Sequence, residues 1–134
     1  MVGRPAAAAR PTTVRADPSS VSIPVRVEIL FWSLLARVLV RRLSLERSLR
    51  LLDRLPHRAR STAGFAVPPE RTFRGAGACL GRSLARSQFL RVRGHSHAVV
   101  IGVRGGTTAL HAHAWVEPCD PVEPSFVELR RIAR

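Results

Sequence analysis

Lysine, asparagine and tyrosine are missing from this chain of 134 residues. Without asparagine, a Cys-His-Asn triad of the papain kind is excluded. Two cysteines are too few for a disulfide scaffold. Aromatic residues are scarce, with five Phe and two Trp. None of them alternates with basic residues as a base-stacking platform requires. No C-x-x-C or H-x-x-x-H spacing occurs. A metal site drawn from Cys79, His111, His113 and Cys119 therefore lacks the ligand spacing of known zinc sites, and none is expected. Long apolar runs are missing too. Residues 27–40 contain Glu28 and Arg37 and fall short of the ~20 residues of a membrane span. The stretch Ile29–Ala36 runs straight into Arg37, Arg41 and Arg42 without a small-residue cleavage site, so no secretory signal is expected there.

What the chain does have is arginine. There are 22 of them against 9 acidic residues, a formal net charge of +13. Such an excess first suggests an anionic partner: nucleic acid, an acidic peptide or an anionic membrane. Its distribution argues against nucleic acid. The arginines spread through residues 1–104 without a dense basic run, and all-arginine usage beside abundant Ala, Gly and Pro fits a G+C-rich coding bias. A nucleic-acid-binding module is the weakest of the functional readings. Hydrophobic residues make up 46% of the chain, enough to build the core of one compact domain.

Residues 1–24 are rich in Ala, Pro, Ser, Thr and Arg without apolar periodicity, and read as a mobile arm or partly as a misjudged start site. The remainder, 25–134, is expected to form a single domain with a helical part at 25–93 and a sheet part at 96–134. Val27, Leu30, Leu34, Leu35, Val38 and Leu39 recur at helical spacing, which marks them as a core-facing stripe. Leu45, Leu49, Leu52 and Leu55 continue the pattern to Pro56, giving one long helix or two abutting ones. A membrane-surface or partner-docking role for this region is the alternative to ordinary core covering. Residues 56–76 read as a connector. Residues 77–93 read as a helix stopped by Gly94, and 96–104 as a buried strand. Residues 109–117 alternate strictly, with His111, His113, Trp115 and Glu117 on one face. After a turn at 118–121, residues 122–129 are expected to add a third strand to an antiparallel meander. Helices first and a short sheet after them define an α+β fold.

Cys79 opens the second helical region behind Gly75, Ala76, Gly77 and Ala78. Unpaired N–H groups and the helix dipole at that end favour a thiolate and can hold an oxyanion. The glycines let a substrate backbone approach. The bland alternative is that Cys79 is a small buried hydrophobe. A thiol nucleophile needs an imidazole to accept its proton and return it to a leaving amine. His111 and His113 both qualify from pattern alone. His57 lies in the connector, and His95 and His97 flank an expected exposed turn and read as solvated. Cys119 reads as an incidental free thiol in the turn.

Three blocks in order, C-L-x-R-S-L-A at 79–85, V-I-G-V-R at 100–104 and A-H-A-W-V-E at 112–117, resemble the leader peptidases of bacterial lasso-peptide biosynthesis, the microcin-processing type. These are small members of the transglutaminase-like cysteine protease superfamily. The resemblance covers roughly residues 27–130 and implies a transglutaminase-like, papain-like core. It implies Cys79 as nucleophile and His113 as base, with no cofactor. It also implies three partners: a ribosomally made precursor peptide, a separate leader-recognition protein, and an ATP-using, asparagine-synthetase-like cyclase that joins the freed amine to an acidic side chain. The location implied is cytoplasmic, with membrane association through 27–55 as an option. The family shows an Asp about a dozen residues after the His, where this chain has Ser125. If 118–120 form a tight turn in a meander, Glu123 becomes a diagonal neighbour of His113, and it is the candidate third member. Asp120 and Glu128 are the alternatives, as is a dyad with no acid. An inactive relative acting as an adaptor is the rival functional reading.

Overall fold

The computed structural model describes residues 23–57, 67–120 and 124–134. The arm expected at 1–24 lies outside the described residues up to position 22, and Glu123 also lies outside them. The first helical region is two helices, α1 (Ile23–Arg42) and α2 (Leu45–Asp53). Ser44 separates them. Its extended backbone and its hydroxyl, which accepts from the Arg47 N–H, start α2 afresh. The connector contains a 3-10 helix, Glu70–Ala76, whose Phe73 is fully buried and meets Phe89 edge-on at 5.9 Å. Helix α3 (Cys79–Val92) follows. Gly94 ends it with φ 75°. The Gly94 N–H bonds the Arg91 carbonyl at 2.9 Å and the His95 N–H bonds the Leu90 carbonyl at 3.1 Å, the paired bonds of a Schellman stop.

Helix α1 packs on α3 and the 3-10 helix, but not through the expected stripe. Ile29, Ser33, Ala36 and Leu39 are buried, whereas Val27, Leu30, Leu34 and Val38 are exposed. Leu39 alone is buried from the expected set, with Leu35 half-buried. The helix is apolar around most of its circumference, so periodicity identifies it as a helix without choosing its inner face. Small residues choose it. Ser33 and Ala36 let α1 approach closely, and the Ser33 Cβ lies near Gly75. A bidentate Glu28–Arg93 pair, 2.7 Å for each bond, ties α1 to the end of α3, with the Arg93 guanidinium 3.6 Å over the Phe89 ring. Burial pushes the Glu28 carboxyl up, but the hydrogen bonds from Arg93 and Trp32 hold it below its ordinary value.

The sheet contains β1 (Ala98–Gly105), β2 (Leu110–Glu117) and β3 (Val127–Ala133), all antiparallel. The fold is therefore α+β, as expected, but the strand order is β2-β1-β3. The third strand pairs with β1 and not with β2, which removes the meander geometry used for Glu123. The reason lies at β2's other edge, which α3 occupies. Val99, Val116 and Ile132 face Leu90 of α3 in a second core cluster, and Cys119 packs against it. Burial there pushes the Cys119 thiol up, so the turn cysteine is a half-buried core residue.

His97 also departs from expectation. It is buried, its main chain pairs with Arg134, and its ring lies 2.6 Å from the Ser87 hydroxyl and 2.8 Å from the His95 carbonyl. The carbonyl accepts from Nδ1–H, which leaves Nε2 to accept from Ser87. Burial, helped by Arg134 and Arg91 nearby, lowers its pKa from 6.5 to about 4. The unfolded chain takes up this proton first as pH falls. Stability should therefore be full above pH 6.5 and decline towards pH 4, by roughly 3 kcal/mol. Urea unfolding across that window should show the decline, and His97→Gln should remove most of it.

Candidate active site

Cys79 is the first residue of α3, preceded by Gly77 at φ 85° and by Ala78, which caps the helix with backbone alone. No side chain takes up the first-turn N–H groups through a cap at Ala78, which leaves that end of the dipole available to an anion. The loop before it is fixed by Gly81. A Cβ there would meet the Ala76 carbonyl oxygen at 2.3 Å, so only glycine lets the 3-10 helix fold back against the start of α3.

Helix α3 lies along the outer edge of β2. The Cys79 thiol donates to the Ala112 carbonyl at 4.0 Å, and the Ser83 hydroxyl donates to the Ala114 carbonyl at 2.9 Å. Four helical residues rise ~6 Å and two strand residues ~6.6 Å, so the two periods match over this stretch. Arg86, one turn further on, pairs with Asp120. The other Asp120 oxygen accepts from the Val116 N–H at 2.9 Å, and the Asp120 N–H donates to the Val116 carbonyl at 2.8 Å. Two outward carbonyls of β2 are thus bonded by side chains of α3, and the Val116 backbone by Asp120 of the following turn, instead of by a neighbouring strand.

This arrangement brings Cys79 to the backbone of the residue that precedes His113. His113 itself is half-buried among rings. Trp115 stacks on it with centroids 6.0 Å apart, and Phe126, entering β3, lies 5.4 Å away. Arg104 sits 5.0 Å from the Phe126 centroid. Beneath the cluster is Gly102, the β1 residue that pairs with His113. His111 is exposed at the mouth of the β1–β2 hairpin, opposite Arg104, and His57 is exposed after α2.

The acidic candidates are dispersed. Asp120 is held by Arg86 and the Val116 N–H, not by an imidazole. Glu128 pairs with Gly102 on the side away from β2 and takes two bonds from Arg131, at 3.0 and 2.8 Å. Arg131 also pairs with Glu117 at 2.5 Å, and that bond leads the effects that lower the Glu117 carboxyl, which also accepts from Trp115. Among the described residues no carboxylate bonds the His113 ring, and no three His, Cys, Asp or Glu side chains gather as a metal site would require. Phe126 and Arg131 were not singled out from the sequence. Their roles depend on β3 lying beside β1, which no local pattern reveals.

A family model, the transglutaminase-like superfamily, matches residues 20–124. The chain belongs to the transglutaminase-like superfamily. No curated protein and no solved structure matches it. Membership accounts for the α+β core of helices and an antiparallel three-stranded sheet, and the superfamily includes cysteine proteases. The matched span takes in α1 to β2, and so both Cys79 and His113.

The rings around His113 depend on Gly102. A Cβ there would stand 2.9 and 3.0 Å from Trp115 ring atoms and 3.1 Å from the Phe126 Cβ. Gly102→Ala should displace that cluster at a cost of about 1–3 kcal/mol. A changed near-UV circular dichroism signal with retained far-UV signal would register the displacement.

Proposed function

We propose that this chain is a cysteine endopeptidase that removes the leader from a ribosomally made lasso-peptide precursor in a bacterial cytoplasm. The observation that carries the reading is the contact of α3 with the edge of β2, where the Cys79 thiol meets the Ala112 carbonyl next to His113. The N–H groups opening α3 and the resemblance of the 79–85, 100–104 and 112–117 blocks support it.

In this mechanism the Cys79 thiolate adds to the scissile carbonyl carbon, and the first-turn N–H groups of α3 hold the oxyanion. The intermediate collapses, the C–N bond breaks, and His113 gives its proton to the departing amine. His113 then takes a proton from water, the hydroxide adds to the thioester, and Cys79 leaves as thiolate with the leader carboxylate released. The freed amine is the group that a separate ATP-using cyclase joins to an acidic side chain. A separate leader-recognition protein delivers the precursor. Glu123 is our candidate for the acid that orients His113. It lies three residues before Phe126, whose ring packs on the imidazole, a chain reach of about 10 Å.

One observation favours a second reading. The described carboxylates nearest in the sheet, Glu117 and Glu128, are both engaged by Arg131. A Cys-His pair without an acid suits a slow dyad, or an inactive adaptor within the same biosynthetic complex.

Incubating the chain with precursor and recognition protein separates these. Cleavage at a single bond is expected. Cys79→Ala or prior thiol alkylation should reduce it by about a thousandfold or more. His113→Ala should do the same. Cleavage that survives Cys79→Ala would overturn the assignment, and no cleavage by the unaltered chain would favour the adaptor.

A further inference from the structure

Helix α1 carries a face of exposed apolar side chains that no other described element covers. Ile23, Val27, Leu30, Phe31, Leu34 and Val38 are between 49% and 78% exposed, although each is a large hydrocarbon side chain. Their spacing of three and four residues puts them on one side of the helix, opposite Ile29, Ser33 and Ala36. From Ile23 to Val38 the strip runs ~22 Å. It contains no hydrogen-bonding side chain. Exposed arginines bound it: Arg37 along its flank, and Arg41 and Arg42 in the last turn. The only acid in α1, Glu28, is taken by Arg93.

Two features favour a lipid surface over a protein partner. Protein interfaces carry about one hydrogen bond per 100–200 Å², and this strip offers no side-chain donor or acceptor within it. It is also a convex helix side bounded by cations on a chain of net charge +13, which complements anionic headgroups. Arginine stems can lie along the acyl boundary while their guanidinium groups reach phosphate. No helix among the described residues is long and apolar enough to cross a membrane, so α1 would lie in the interface plane.

We propose that α1 docks this protein on an anionic bilayer, inserting the strip from Ile23 to Val38 while Arg37, Arg41 and Arg42 bind lipid phosphates. This inference is independent of the peptidase reading, since it rests on the exposed face of α1 and the positive charge of the chain.

Cosedimentation of the full chain with vesicles tests it. Phosphatidylcholine vesicles containing about one-third phosphatidylglycerol should bind at least roughly tenfold more tightly than pure phosphatidylcholine. Phe31→Ser with Leu34→Ser should weaken that binding by about tenfold. Because both side chains are exposed, circular dichroism should show the fold retained. Arg41→Glu with Arg42→Glu should weaken binding further at low salt than at high salt. Four results would overturn the proposal. The first is no binding to the anionic vesicles. The second is binding that the Phe31/Leu34 substitutions leave unchanged, which marks general attraction by a basic chain. The third is a dimer in sedimentation equilibrium that the same substitutions dissociate while vesicle binding persists unchanged, which assigns the strip to a second copy. The fourth is loss of affinity only for the precursor or recognition protein, which assigns it to a protein partner.

Discussion

The hydrogen-bonded contact between α3 and the outer edge of β2 is the constraint on which the rest of the molecule depends. An unpaired strand edge needs partners for its N–H and C=O groups, and the usual partner is another strand. Here Ser83 reaches the Ala114 carbonyl, and Asp120, held by Arg86, closes on the Val116 backbone. Because the helix fills this edge, β3 is diverted to the far side of β1. Because the helix begins where it does, the thiol of its first residue arrives at Ala112.

Packing behind this contact fixes its position. Phe73 and Phe89 join the 3-10 helix to α3, and the Glu28–Arg93 pair joins α1 to the other end of the same helix. At the C-terminal end of the sheet, Asp53 receives both Arg91 and Arg134, while the Arg134 main chain pairs with His97. Helix α3 is therefore gripped along its length by α1, α2, the sheet and the last strand. The Cys79 thiol at the end of such a helix is held by the core, whereas the position of the His113 imidazole depends on the smaller ring cluster above Gly102.

Much of this was legible in the residues. Alternation from Leu110 to Glu117 gave the correct strand face for His113 and Trp115, and Gly94 marked the end of α3. The leucine periodicity leaves one long helix or two abutting ones, and the Ser44 cap in the structure decides for two. What could not be read was non-local. Apolar residues surround most of α1, so the inward choice of Ile29, Ser33 and Ala36 depended on how closely α3 could approach. The partner of β3 depended on an edge occupied by a segment some thirty residues earlier, Ser83 to Ala114. Glu123 neighbours His113 only in a strand pairing that the fold does not contain, while Asp120, in the turn itself, serves the β2 edge. His97 is buried because the end of β3 pairs with it, which no pattern around residue 97 discloses.

The Cys79 thiol lies at the carbonyl of Ala112, the residue before His113, and the proposed chemistry follows only if the two side chains act together. Alkylation of Cys79 by iodoacetamide at neutral pH measures this directly, in a Cys119→Ser background so that one thiol remains. The account predicts that His113→Ala slows the reaction by about tenfold or more, while His111→Ala leaves it unchanged. Equal rates in the parent and the His113→Ala protein would contradict it.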